Sequence, residues 1–249
     1  MKIVTYNLRC IYRKDGVNSF VHRAGMILDT ITENAPDIIC FQEATEKNIA
    51  FLRRYLSPVY TVLLTQREEG LSGEGLAVAY RQDKCSLYGL EVFWLSPTPQ
   101  ITASKFPGQS MHSRICQKLL FKNEETGNVF KIYNIHLEER SEDVRVQQME
   151  LILSHHAAEN VPTILLGDLN ASPTGKVYAQ CKERGLVDLT DGIPVSFHRF
   201  GTQNPGWKID YILTDPTTAA RSCSVRVWDQ CINGIYLSDH YPIELTCDL

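Results

Sequence analysis

"ILLGDLNASP", residues 164–173, is the stretch on which the reading of this chain turns. Three apolar residues lead into Gly167, after which Asp168 and Asn170 stand two apart. Successive strand residues point to opposite faces and alternate residues share one. If strand geometry persists through Leu169, Asp168 and Asn170 face the same way and Leu169 turns into the core. An Asx-rich turn is the competing reading, because Gly, Asp, Asn, Ser and Pro all punctuate loops. The rest of the chain has to decide between a turn and a site.

The 249 residues suffice for one large α/β domain with a well-buried core, and the composition, 43% hydrophobic and 22% charged, is that of a globular protein. With no linker, repeat, low-complexity tract or shift of composition, a single domain over residues 1–249 is expected. No apolar run is long enough to span a membrane, and "MKIVTYNLRC" enters a strand pattern where a secretory leader would stand. A cytoplasmic protein is therefore expected. Eight cysteines are scattered without a CxxC pair, and several sit in apolar runs such as "DIICF" and "IELTCDL". Buried thiols are expected rather than a zinc site. A net charge of −4 gives no overall basic face for nucleic acid, although a local groove stays open. It fits an acidic site answered by a metal cation.

Periodicity predicts about ten strands and four or five helices. "NSFVHRAGMILDTITENAP" reads as a helix capped at Asn18 or Ser19 and stopped before Pro36; "EKNIAFLRRYL" and "TGKVYAQCKERG" also read as helices. "SEDVRVQQMELILSHHAAEN" reads as another, capped by Ser141. Many neighbouring strands lack an intervening helix, which argues against a purely parallel sheet. Two mixed sheets packed face to face with helices outside fit better.

Apolar strands here repeatedly end on a polar group. "VTYNLR" ends at Asn7, "IICFQE" at Glu43, "YNIHLE" carries Asn134 and His136, "LLGDLN" carries Asp168 and Asn170, "KIDYIL" carries Asp210, and "LSDHYP" carries Asp239 and His240. Carboxylates at strand ends are costly unless paired or metal-bound. Several that converge on one edge of a sandwich make a site. The chemistry that needs this set is metal-assisted hydrolysis of a phosphate ester. Hard oxygen ligands select Mg²⁺, with Mn²⁺ a possible substitute, a carboxylate orients or deprotonates water, and Asn and His donors stabilise phosphoryl charge.

The ordered set "TYNLR", "PDIICFQE", "NIHL", "GDLNASP", "KIDYIL" and "SDHYPI" resembles the endonuclease/exonuclease/phosphatase superfamily, and it runs over essentially the whole chain. The resemblance implies the four-layer α/β sandwich of the deoxyribonuclease-I-like fold. It implies that Glu43 ligates a divalent metal with Asn7 beside it, and that Asp239 is a second acidic residue near the metal. By the same carry-over Asp168 orients or activates the nucleophilic water, Asn170 and His136 contact phosphate, and Asp210 orients His240.

Softer signals remain. Arg114, in "HSRICQ", is a candidate phosphate clamp or a solvated strand-end residue. Asn134 and His198 are candidate substrate contacts, His198 because it lies in the loop "SFHRFGTQNPGW". Trp207 is a candidate stacking residue. His155 and His156, adjacent on a helix, do not face one another and are poor partners for one metal. "EEGLSGEGLAVAY" lacks the lysine and helix of a phosphate-binding loop, and reads as a hairpin or lid. The expected partner is a phosphate-ester substrate, nucleic acid possible, with no obligate protein partner. A phosphodiesterase or nuclease leads; a phosphatase or phosphodiesterase of a nucleotide, sugar or inositol phosphate is the alternative, and a catalytically silent binding protein a remote one.

Overall fold

The computed structural model describes residues 1–70, 73–156 and 161–249. In chain order the elements are β1 (Lys2–Asn7), α1 (Phe20–Asn34), β2 (Ile38–Thr45), α2 (Glu46–Leu56), β3 (Tyr60–Gln66), β4 (Glu74–Arg81), β5 (Cys85–Trp94), β6 (Ile115–Asn123), β7 (Val129–His136), α3 (Glu142–His156), β8 (Thr163–Asp168), α4 (Lys176–Glu183), β9 (Val187–Asp188), β10 (Asp210–Thr214), α5 (Pro216–Ala219), β11 (Cys223–Val227), β12 (Cys231–Ile232), β13 (Ile235–Tyr236) and β14 (Ile243–Cys247). The strands beyond the expected ten are mainly the two-residue pieces β9, β12 and β13, which are too short to show a period.

One six-stranded sheet has the order β11-β14-β1-β2-β4-β3 and the other β5-β6-β7-β8-β10-β9. Only β1/β2 and β7/β8 pair in parallel in these sheets. Each parallel pair is bridged by a helix, α1 or α3, as a parallel connection requires. Alternation along the central strands builds the layers. Ile3, Ile38, Ile164 and Leu166 point between the sheets, where they meet Val78, Leu119, Phe121 and Ile212. Their neighbours Val4 and Ile39 turn outward against Ile27 and Ile31 of α1 and Ile49 and Leu52 of α2. Leu165 turns the other way, with Tyr133 and Ile135, against Met149 and Ile152 of α3 and Val177 of α4. The result is the four-layer sandwich: helices, sheet, sheet, helices. It explains why "DIICF" and "TILL" are apolar on both faces, since both faces are covered.

Of the caps expected from sequence, Ser141 bonds its helix while Ser19 makes no side-chain capping bond. Thr45 and Asn48 form a reciprocal capping box at α2, and Ser141 Oγ accepts from the Val144 amide. Ser19 occupies the cap position of α1. The last four residues of the stretch read as one helix up to Asn160 lie outside the described residues, as do Leu71 and Ser72 of the glycine-rich stretch.

The cysteine expectation needs a correction. Cys223 and Cys247 sit opposite each other on β11 and β14, 4.2 Å apart at Cα, and form a disulfide. Cys40, Cys85, Cys116 and Cys181 are buried thiols, but Cys231 is exposed. No helix among the described residues is long and apolar enough to cross a membrane.

Candidate active site

β8 is the anchor of the site. It ends at Asp168, whose register partner is His136 on parallel β7 and Asp210 on antiparallel β10. Three strand ends thus place His136, Asp168 and Asp210 in one row. Asp168 also answers the question raised by its sequence. The Asn170 amide donates to Asp168 Oδ1 at 2.8 Å, and Asn170 adopts a left-handed φ of 48°. The strand stops in an Asx turn, so the turn and the site are the same feature. Leu169 turns into the core as expected, fully buried. Gly167 has φ 136°, and a Cβ there would lie 2.0 Å from the Ile135 carbonyl oxygen. Glycine is thus required by the close approach of the β7 backbone.

The opposite sheet contributes Asn7 and Glu43. Asn7 Nδ2 donates to Glu43 Oε1 and to Asp168 Oδ2, each at 3.2 Å, and so ties the two sheets together. Glu43 lies where the β2/β4 register shifts, and its φ is 51°. This irregularity re-aims its carboxylate, as bulges near active sites do. The Cys10 amide donates to Glu43 Oε2 at 3.0 Å.

His240 closes the row from the loop before β14. Its Nδ1 is 2.8 Å from Asp210 Oδ2, and its Nε2 lies 3.9 Å from Asp168 Oδ2. His136 Nε2 is 3.6 Å from the same oxygen. The backbone amides of Ile209 and Asp210 both donate to Ser196 Oγ, which fixes the start of β10. Phe197 sets its ring edge-on to His240, centroids 4.8 Å apart.

Electrostatics differentiates these groups. Burial, reinforced by Asp210, pushes the Asp168 carboxyl up to about 7 against the pull of His240. Burial opposes charge on His240 as well, but Asp210 above all, with Asp168 and Asp239, raises it to about 10. Burial acts on Glu43 too, yet Arg9 and the Cys10 amide bring it below the usual carboxylate range. Burial and the nearby Arg114 and Arg67 hold His136 neutral. Asp239 is raised by burial, with Glu43 adding to it.

The row opens into a cavity of about 500 Å³. Six carboxylates line it (Asp15, Glu43, Glu74, Glu139, Asp168, Asp239) against four guanidiniums (Arg9, Arg67, Arg114, Arg199). Two groups bring ligand atoms within 4.8 Å of one another: Asp168, Asp210 and His240, and Cys10, Glu43 and Glu74. The first is internally neutralised by the Asp210–His240 pair. Glu43 and Asp168, bridged by the Asn7 amide, present hard carboxylate oxygens of the kind that hold a divalent cation.

Sequence reasoning brought Asn7, Glu43, His136, Asp168, Asn170, Asp210, Asp239 and His240 to one place, and the structure assembles all eight. Arg114 joins them, buried rather than solvated at 3% exposure. Two candidates do not belong. Asn134 is wholly buried between the sheets, where Nδ2 donates to Gln117 Oε1 and Oδ1 accepts from Gln42 Nε2, so it is saturated and cannot touch substrate. His198 points away from the cavity that its neighbours Phe197 and Arg199 line, and stacks on Tyr241 at 4.0 Å. Sequence reading missed Arg9, Arg67 and Glu74. Arg9 stands two residues after Asn7 in a quoted motif, whereas Arg67 precedes, and Glu74 lies within, the stretch that reads only as a hairpin or lid. Glu68 of that loop is occupied, since its Oε1 accepts from the Ser113 amide.

The Endonuclease/Exonuclease/phosphatase family model matches residues 4–240. The chain is similar to Nocturnin of Drosophila melanogaster, 27% identical over 64% of this chain but only 25% of that protein, so it spans about a quarter of that relative's length. A conserved protein of Enterococcus faecalis V583 superposes with TM-score 0.89 and 28% identity, over 100% of this chain and 99% of that one. A mannosyl-6-phosphatase of Bacteroides thetaiotaomicron superposes with TM-score 0.84 over 100% of both chains; at 24% identity it shows the shared fold. The fold, the ordered strand-end motifs and the family match over nearly the whole length agree: this chain belongs to the Endonuclease/Exonuclease/phosphatase family, whose nucleases and phosphatases hydrolyse phosphoester bonds.

Proposed function

We propose that the protein is a divalent-metal-dependent phosphoesterase acting on a phosphate ester small enough to enter its cavity. The observation that carries this reading is the row His136–Asp168–Asp210 on three adjacent strands, completed by His240 and faced by Asn7 and Glu43. Glu43, with Asn7 and Asp239 beside it, would hold the cation, Mg²⁺ or Mn²⁺ by donor chemistry. Such a cation supplies charge neutralisation at the phosphoryl oxygens.

The chain's own residues do the rest. Asp168, buried and held near neutrality in its proton affinity, is matched to orienting and deprotonating a water. Asp210 holds the His240 imidazole through Nδ1, which leaves Nε2 facing the reaction centre as a donor. Asn170 and His136 sit beside Asp168 as neutral contacts for phosphoryl oxygens. A small substrate is supported by the bounded volume of the cavity, about 500 Å³. The mannosyl-6-phosphatase among the structural neighbours acts on a compact phosphate ester, in keeping with this reading.

A nuclease is the second reading. It is favoured by Trp207, which is 56% exposed at the cavity rim, stacked on Phe197, and available to a base. A panel of sugar phosphates, nucleotides and labelled oligonucleotides with Mg²⁺ separates the two. The small-ester reading expects turnover of a sugar or nucleotide phosphate that Asp168→Asn abolishes in a folded protein. Turnover confined to oligonucleotides would replace it with the nuclease reading.

A further inference from the structure

Two arginines in this cavity are buried beyond what the fold requires. Arg114 is 3% exposed, and neither Nε nor Nη1 has a hydrogen-bond partner. Arg67 is 5% exposed; one Nη binds Glu74 at 2.8 Å, while Nε has no partner. Among the described residues Arg114 has no ion pair. Both side chains line the large cavity beside His136. A guanidinium is costly to bury without its hydrogen bonds, and orphaned donors of this kind mark an anion that the protein expects. His136, on the same cavity wall, lies 3.6 Å from Asp168, so an anion held between the arginines and Asp168 is the phosphoryl group under attack.

We propose that Arg67 and Arg114 read the doubly charged phosphoryl group of a phosphomonoester, and so direct this enzyme away from phosphodiesters. The inference rests on the phosphoesterase reading above and adds its substrate class. Near neutral pH a monoester carries close to two negative charges and three terminal oxygens, whereas a diester carries one charge and two such oxygens. Arg114 brings a cation without an ion pair and two free N–H groups, and Arg67 brings a free Nε–H on a cation already answered by Glu74. Together they match the additional oxygen and charge of the monoester. Planar guanidinium forks suit such oxygens better than an ammonium would.

The test compares 4-nitrophenyl phosphate with bis(4-nitrophenyl) phosphate, with Mg²⁺, for the wild type, Arg114→Gln and Arg67→Gln. The wild type is expected to favour the monoester. Arg114→Gln should lower monoester kcat/KM roughly a hundredfold and the diester value far less, so that the preference collapses; Arg67→Gln should do the same more weakly. An equal loss on both substrates, or a wild type that prefers the diester, overturns the proposal. Thermal shift by inorganic phosphate is the second measurement. It should raise the melting temperature of the wild type but not of Arg67→Gln, and a full shift in that variant also counts against the pair. If Arg114→Gln does not fold, Arg67→Gln and the wild-type preference decide. Failure of the broader reading looks different: neither ester is turned over by the wild type.

Discussion

Asp168 and Asp210 face each other across β8 and β10 as direct register partners. Like charges so placed repel, and here both side chains are buried. The arrangement persists because His240 bonds Asp210 and lies within 3.9 Å of Asp168, giving the pair a shared cation. Burial and, after it, the same repulsion raise the proton affinity of Asp168, so the local conflict is also part of the functional device.

Asp210→Asn should therefore lower kcat by about 10²–10⁴, because His240 loses the partner that orients it and keeps it charged. The direct check is an NMR titration of the His240 imidazole. In the wild type it stays protonated up to about pH 10; in the variant burial dominates and the proton is lost at much lower pH. An unchanged titration would show that Asp210 is not the charge partner.

The pH dependence of activity follows from Asp168. Its folded value is raised to about 7, so the carboxylate is lost as pH falls through that value, and activity falls with it on the acid side. A bound cation favours the carboxylate. The acid limb of kcat/KM should thus move to lower pH as Mg²⁺ is raised. Profiles at low and high Mg²⁺ check this, and an acid limb indifferent to the cation would contradict it.

His198 predicts a stability effect away from catalysis. Burial lowers its folded value to about 4, against an ordinary 6.5 in the unfolded chain. A depressed histidine contributes stability that is fully present above the unfolded value and is lost as pH falls toward the folded one, because the unfolded chain takes up the proton first. The loss by pH 4 is about 2–3 kcal/mol. Urea melts of wild type and His198→Phe between pH 7 and pH 4 should converge by that amount. Parallel pH dependences would show that His198 is not buried neutral.

Gly167→Ala should destabilise by about 2–4 kcal/mol, since a Cβ meets the Ile135 carbonyl oxygen at 2.0 Å and the residue must hold φ 136°. It should also reduce activity, because the β7/β8 approach sets the His136–Asp168 spacing. A denaturation midpoint equal to the wild type's would remove the close approach from the account.

Much of this site was legible because its side chains sit at or just beyond the ends of apolar strands, and the strand ends of two packed sheets gather on one edge. Asn7, Glu43, Asp168 and Asp210 needed only that rule. The same rule misplaced Asn134. It shares a face with His136, but two residues back along β7 that face looks between the sheets, and Gln42 and Gln117 claim it. His198 failed by alternation, since the cavity takes Phe197 and Arg199 on either side. Arg67 and Glu74 were illegible because they stand at the end of β3 and the start of β4, away from the quoted motifs, and no period marks a side chain that lines a cavity. The Cys223–Cys247 bridge depended on a strand register that spacing alone does not give.

The central claim is that the Asp168 centre hydrolyses a phosphate ester with a divalent cation, and release of phosphate from a small phosphate ester by metal-stripped protein tests it most directly. No release is expected before Mg²⁺ is added, turnover after it, and none for folded Asp168→Asn or Glu43→Gln under the same conditions. Equal turnover without the cation, or turnover undiminished in Asp168→Asn, would contradict it.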